Sequence, residues 1–325
     1  MTDVNQALQS YDGARVVVTG GLGFVGSNVS RALVKAGARV TVLDDGFTGR
    51  AENLGGAPVE IVTGSVTDPE TLRKVIHGAQ YVFHLACRNI IVSTREPFED
   101  CQVNTVGTVN ALLASRDAGV TRVVYASSAS VYGNPPRIPV TEDDPTSLLS
   151  PYAASKFAGE CFCQAYYESF NLPVTSLRYS NVYGTMQRPD NPYCGVVSKF
   201  MDAALKGEPL RIFGDGEQTR DFTYIDDVVD ATLLTGISPR AEGQAYNVAT
   251  GREISVNRLA EMVASVSGVV CRIERAPKRD IDTIRRRVLS AERIRHDLRW
   301  SAQVGMEEGL ERTFDWLRGE TIRTV

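Results

Sequence analysis

TGGLGFVG, Thr19–Gly26, decides how the rest of this chain is read. It follows a short apolar run, Arg15–Val18, with the character of a buried strand. It precedes Ser27–Lys35, whose alternation of small, apolar and polar residues suits a helix. A glycine-rich turn between strand and helix is the setting in which such a motif binds a nucleotide. Gly20, Gly23 and Gly26 have separate tasks there: a tight turn, close approach of the backbone to a pyrophosphate, and close packing of helix on strand. The helix N-terminus then offers free N–H groups and a partial positive charge to the phosphates.

A second apolar run, Arg39–Leu43, ends in Asp44 and Asp45, and Asp44 lies 18 positions beyond Gly26. At that distance the second strand of a dinucleotide-binding unit ends, and a carboxylate there accepts hydrogen bonds from the adenosine ribose hydroxyls. It would also repel a ribose phosphate, so NAD is favoured over NADP. Arg50 is the one nearby group that works against this, because an arginine can accommodate that phosphate.

Bulk composition narrows the class. The 325 residues are 43% hydrophobic and 23% charged, with a formal net charge of -4, ordinary for a soluble globular chain and without support for nucleic-acid binding. The one arginine cluster, Arg285–Arg287, reads as a strand edge carrying one useful arginine. The polar N-terminus has no apolar core suited to a signal peptide, and no run approaches membrane-spanning length. Six cysteines and three histidines are scattered, with no metal spacing and no disulfide framework. A reduced, cytoplasmic setting without metal follows as the expectation.

Apolar runs at Val59–Val62, Tyr81–Leu85, Arg122–Ala126 and Val174–Leu177 alternate with helical stretches such as Asp68–Ile76 and Asn104–Ala118. Such alternation predicts a parallel sheet covered on both faces. After Tyr183 the pattern loosens. Thr185–Tyr193, with Pro189 and Pro192, reads as a loop, and mixed short elements follow. The expectation is an α/β fold, a Rossmann-type doubly wound parallel sheet with a smaller, discontinuous C-terminal α/β lobe. The first domain is expected over residues 1–180, with a later segment near 225–250 returning to it, and the substrate lobe over 181–325.

Chemistry concentrates in two segments. SPYAASK places Tyr152 and Lys156 four apart at the start of a helical run, Tyr152–Tyr167, with Ser150 as cap and Pro151 in the first turn. Four apart puts phenol and ammonium on one face. A phenol of ordinary pKa about 10 is a poor base at neutral pH, and a neighbouring cation lowers that value. YASSASVYG, Tyr125–Gly133, follows an apolar strand, and its Ser128 is placed to meet both Tyr152 and a substrate hydroxyl.

These motifs, with HLA at His84–Ala86, Asn104 and RYSNVYG at Arg178–Gly184, occur in the order found in the extended short-chain dehydrogenase/reductases. From about Arg15 to about Leu317 the chain resembles the NAD-dependent sugar-nucleotide epimerase/dehydratase family. The resemblance implies Ser128, Tyr152 and Lys156 as catalytic residues. It implies a cofactor site formed by Gly20, Gly23, Phe24, Val25, Gly26, Asp44, Asp45, Ser65, Val66, Leu85, Ala86 and Asn104, with Tyr152 and Lys156 at the nicotinamide end. Ser65 stands where the family often has an acidic residue near the adenine. The resemblance also implies a homodimer paired through helices equivalent to Asn104–Ala118 and Tyr152–Tyr167.

On the substrate side, IFGDGEQTRDFTYIDD, Ile212–Asp227, supplies Arg220, matched to a family arginine that contacts the nucleotide diphosphate. Arg279 and Asp282 resemble a nucleoside-binding pair, and Asn181 the asparagine near sugar and phosphate. Ser130 adds a hydroxyl. Arg188, in the loop Gln187–Tyr193, either pairs with a sugar carboxylate or pins its loop. By resemblance, dehydratases carry Asp-Glu after the catalytic hydroxyl residue, and UDP-glucuronate decarboxylases a glutamate at the position of Ser130. Ala129-Ser130 stands there instead, which suits a 4-epimerase whose 4-keto sugar turns over. The expected substrate is a UDP-hexose, UDP-N-acetylhexosamine or UDP-hexuronate. A dehydratase, decarboxylase or reductase of the same family, and a non-catalytic NAD-binding protein, stay open.

Overall fold

The computed structural model describes residues 8–279 and 284–324, with side chains through Gly319. A seven-stranded parallel sheet carries the chain: β1 (Arg15–Thr19), β2 (Arg39–Asp44), β3 (Glu60–Thr63), β4 (Tyr81–His84), β5 (Arg122–Ser128), β6 (Val174–Tyr179) and β7 (Ala245–Val248). Their spatial order is β7-β6-β5-β4-β1-β2-β3. The order reverses between β1 and β4, the switch point where ligands bind across the carboxyl ends of the strands. β5 and β6 run two residues further than the sequence reading, which brings Ser127 and Ser128 into the sheet against Arg178 and Tyr179.

The strands are apolar on both faces because both are covered. Val16 and Val18 of β1 belong to one core with Leu33 of helix α1 (Phe24–Lys35). Val17 points into the other, with Leu72 of α2 (Pro69–Ile76), Leu112 of α3 (Gly107–Ala118) and Cys163 of α4 (Pro151–Phe170). Each such fully buried Val or Leu contributes roughly 1.5–3 kcal/mol relative to exposure.

Two boundaries differ from expectation for stated reasons. α1 starts at Phe24 rather than Ser27, because Gly23 serves as N-cap with no side chain of its own. α3 starts at Gly107, and Asn104 lies in a preceding π-helical turn, Cys101–Val106. Such turns insert an extra residue and recur beside functional sites.

The elements after β6 are small. Asn181–Tyr183 pairs with Phe222–Tyr224, Leu210–Phe213 with Ile273–Ala276, and Thr219–Arg220 with Ile254–Ser255. Two-stranded pieces are marginal alone and need helices against them. Val196–Lys206, Val256–Ser267 and Met306–Thr324 supply that cover, with Phe200, Met201, Leu259, Val263 and Leu310 joining the first core.

Candidate active site

The cradle begins at the end of β1. Gly20 has φ +69°, and a Cβ there would lie 2.7 Å from the Ala86 backbone, so the turn passes against the strand end of β4. A Cβ on Gly26 would lie 2.1 Å from the Gly20 carbonyl oxygen, which permits no other residue. Phe24 and Val25 open α1, whose N-cap makes no side-chain hydrogen bond, so the first N–H groups are left for an anion. Asp44, buried at the end of β2, accepts hydrogen bonds from Leu22 N and Gly46 N, both at 2.9 Å. Burial raises its carboxyl pKa while those two N–H groups pull it down. Asp45 instead holds Arg88 at 2.8 Å.

Other members of the expected cofactor set line the same route or hold it in place. Ser65 accepts from Thr67 N, and Val66 is buried against Gly107 with its carbonyl bonded to Asn110. Leu85 N and Ala86 N donate to the backbone oxygen and hydroxyl of Thr19. Asn104 is a buttress: its oxygen accepts from Arg88 N at 2.7 Å, and its amide donates to Arg88 O, Asp100 and Ser155. All its hydrogen-bonding groups are engaged by protein, so it braces the strand end rather than offering a free amide. His84 clamps Thr19 at 2.8 Å and Thr108 at 3.0 Å, and burial, with Lys156 adding, pushes its pKa down to about 3. It is a neutral structural imidazole.

Tyr152 and Lys156 share one face of α4, whose start is fixed by Ser150 accepting from Ala153 N and by Pro151 in the first turn. Tyr152 and Ser128 share a hydrogen bond. Ser130 N and Ser130 Oγ both donate to Ser128 Oγ, at 3.1 and 2.8 Å, which holds the serine pair in one orientation. The Lys156 ammonium is buried, donates to Ala126 O at 2.8 Å and lies 5.1 Å from the Tyr125 ring centre. Burial holds the Tyr152 phenol above its ordinary value, with Cys87 adding to the shift. The Ser128 hydrogen bond and the Arg287 cation act in the other direction.

A chamber of about 770 Å³ joins Ser128, Ser130 and Tyr152 to Asn181, Arg220 and Arg279. Its walls also carry Lys199, Arg211 and Arg287 against Glu208 and Glu274. A chain of net charge -4 thus concentrates cations around one cavity, the field a diphosphate requires. Asp221, beside Arg220, is buried and accepts from Thr250 N, Thr250 Oγ1 and Gly251 N, which fixes the strand that presents Arg220. Arg279 stacks on Phe213 at 4.4 Å. Asp282 lies outside the described residues.

Arg188 is not among the residues that line this chamber. It lines a second cavity, of about 550 Å³, beside Phe24 and Gly46–Arg50, and its Nε lies 3.5 Å from Asp190. Tyr193 and Cys194 of its loop line both cavities, so the loop is the wall between them.

Arg287, which the sequence reading left among three, also lines the chamber. It is 9% exposed, and no hydrogen bond or ion pair joins its guanidinium to a described residue. Burial pushes it down to about 9, with Arg220 adding to this and Tyr152 and Asp221 opposing it. The signal available in the sequence was position only: it follows the RxxD pattern and precedes a buried Val-Leu pair.

Residues 16–249 match the model of the NAD dependent epimerase/dehydratase family. The chain belongs to that family. A UDP-glucose 4-epimerase of Mycolicibacterium smegmatis is 39% identical over 314 residues, 94% of this chain and 99% of that protein. The epimerase Mth375 of Methanothermobacter thermautotrophicus superposes with a TM-score of 0.95 at 35% identity, covering 99% of this chain and 98% of that one. MoeE5, solved with UDP-glucuronic acid and NAD, superposes with a TM-score of 0.85 at 33% identity, over 94% and 100%. Relatives matched over 94% of this chain also include a UDP-N-acetyl-alpha-D-glucosaminuronate decarboxylase of Bacillus cytotoxicus and a dTDP-D-glucose 4,6-dehydratase of Mus musculus. The cofactor is NAD, and the glycine cradle, the uncapped helix start and Asp44 fit it.

Among the described residues no helix is long and apolar enough to cross a membrane, and no cluster of three or more His, Cys, Asp or Glu is suited to a metal ion.

Proposed function

We propose that this chain is a UDP-sugar 4-epimerase acting through a transient 4-keto sugar. The observation that carries the reading is the make-up of the chamber beside Tyr152: the serine pair Ser128 and Ser130, a cation, and no carboxylate in the two positions after Ser128. Elimination of water needs an added acid and base. A hydroxyl pair offers none, and Ala129 and Ser130 are small enough for a keto sugar to turn.

NAD, when bound in the glycine cradle, would supply the hydride chemistry. Tyr152 takes the proton of the sugar C4 hydroxyl and gives it back to the 4-keto oxygen. Its phenolate is favoured by the Ser128 hydrogen bond and by neighbouring cations. Lys156, whose ammonium donates to Ala126 O, would hold the cofactor ribose. Ser128 orients the hydroxyl with Ser130 behind it. Arg220 and Arg279 bind the diphosphate, for which a planar guanidinium is suited, and Asn181 the adjoining sugar. Residues 1–180 with the returning segment near 225–250 form the NAD-binding domain, and 181–325 mainly the nucleotide-sugar lobe. Homodimerisation through α3 and α4 is supported by exposed apolar groups on or next to those helices, Val106 and Phe162 among them. The cellular setting proposed is cytoplasmic.

Within this reading the sugar class favoured is a UDP-hexuronate. A buried guanidinium is costly without a counter-charge. Asp221 only partly offsets the Arg287 charge and is itself bonded to Thr250 and Gly251, so a sugar carboxylate beside the reacting carbon would complete the offset. The UDP-glucuronic acid complex of MoeE5 supports the same class, while its complex with UDP-glucose keeps a neutral hexose in view. Arg188 reaches such a carboxylate only if its loop turns over the sugar. The test is incubation of the purified protein with UDP-glucuronate, UDP-glucose and UDP-N-acetylglucosamine, with products followed by NMR. A 4-epimer formed fastest from UDP-glucuronate supports the reading. A dehydrated or decarboxylated product overturns the epimerase assignment, and faster turnover of a neutral sugar overturns the hexuronate.

A further inference from the structure

Two loops of different origin close the cofactor-side cavity. One, residues 46–50, follows Asp44 and is anchored on the glycine-rich turn: Arg50 N donates to Leu22 O at 3.1 Å, and Asn53 Nδ2 to the same oxygen at 2.8 Å. The other, residues 187–194, walls the sugar chamber on its far side. They are joined twice. Arg50 Nη1 lies 2.8 Å from Asp190 Oδ2. The Phe47 and Tyr193 rings stack at 6.1 Å with an interplanar angle of 11°, and Arg88 covers the Phe47 ring at 4.1 Å.

We propose that Asp190 is a cofactor-specificity residue: by holding Arg50, it withholds from the ribose end of the NAD site a guanidinium suited to a ribose 2′-phosphate. Arg50 is six residues beyond Asp44, on a loop tied to the phosphate-binding turn, where an arginine recognises NADP in folds of this type. Asp44 alone repels that phosphate, but a guanidinium beside it offsets the repulsion with charge-assisted hydrogen bonds. Asp190 removes the offset. The stacked ring pair keeps the two loops in register so that the ion pair forms. Discrimination between cofactors is therefore shared between a strand-end carboxylate and a carboxylate delivered by the substrate loop.

Arg50 and Asp190 are 48% and 47% exposed, so their pair adds little to folding and both variants should be well folded. The inference rests on the NAD assignment and is independent of which sugar is turned over. The experiment measures Kd for NAD and NADP on nucleotide-free protein, for wild type, Asp190→Asn, Arg50→Ala and the double variant. Asp190→Asn should tighten NADP roughly fivefold or more, with NAD shifting by less than about twofold. The double variant should lose that gain. An unchanged NADP-to-NAD ratio in Asp190→Asn overturns the proposal, as does a gain that persists without Arg50. An equal shift in both cofactors also overturns it, because that would mark loop closure rather than charge.

Discussion

Arg178, packed between β5, β6 and α4, and Arg287, in the wall of the sugar chamber, are buried to nearly the same degree, 6% and 9% exposed. Their electrostatics are opposite. Arg178 meets both oxygens of Glu160, with the shortest contact at 2.7 Å, and donates to Tyr132 and to Glu142 O. Burial alone would lower its pKa; Glu160 more than reverses that, and the guanidinium is held above its ordinary value. Arg287 has no such carboxylate among the described residues and is pushed down to about 9. Where the protein supplies the counter-charge, a buried cation is architecture. Where it does not, the cation is kept for something that arrives. Asn104 and His84, engaged on all sides by protein, fall on the architectural side of the same division.

The chamber's claim to chemistry is tested hardest by Tyr152→Phe. The turnover rate should fall by roughly 10²–10⁴-fold while NAD stays bound, since only the proton transfer is lost. Near-normal turnover would remove Tyr152 from the mechanism.

Arg178→Leu tests the architectural side. It leaves the buried Glu160 without its cation, with the Ser127 hydroxyl as remaining partner, and should cost about 3–5 kcal/mol of stability, read as a lowered Tm. Replacing both partners, Arg178→Leu with Glu160→Leu, should recover much of that. No loss in the single variant would erase the contrast.

Arg287→Ala should do the reverse: stability equal or higher, catalysis impaired. kcat/KM for UDP-glucuronate should drop about tenfold or more. The basic group seen in the pH–rate profile should also titrate at higher pH, because the cation that favours the phenolate is gone. Arg287→Lys should largely restore the pH profile. A fall in Tm with an unchanged profile would make Arg287 a second Arg178.

The effect that is smallest at neutral pH concerns His84. The unfolded chain binds its proton below about 6.5, the folded one only near 3. The unfolded state therefore binds more protons between those values, and stability present above that window is lost as pH falls through it, by up to about 1.4 kcal/mol per unit. Thermal melts between neutral and acid pH should show that slope, and His84→Gln should flatten it.

The architectural half of the molecule was legible in the sequence and the receptive half was legible only in part. Glycine spacing, apolar runs and Asp44 report local backbone requirements, and these fix the sheet and the cradle. YxxxK with the serine segment is likewise local, since helix periodicity and a strand end bring Tyr152, Lys156 and Ser128 together. The bonds of Asn104 to Arg88 and Ser155 were not legible, because a helix pattern does not reveal the π-turn that directs the amide there. The placement of Arg188 and Arg287 was not legible for a related reason: which cavity a loop arginine enters depends on packing between segments distant in the chain. Nothing in Arg285–Arg287 distinguishes the exposed members, bonded to Asp215 and Glu253, from the buried one.

The central claim is that hydride leaves the sugar C4 and returns to it. UDP-glucuronate deuterated at C4, incubated with the purified protein and followed by NMR and mass spectrometry, tests it most directly. The account predicts the C4 epimer with deuterium still on C4, no change in mass and no accumulation of NADH. Loss of the label to solvent, a product lacking water or carbon dioxide, or stoichiometric NADH would contradict it.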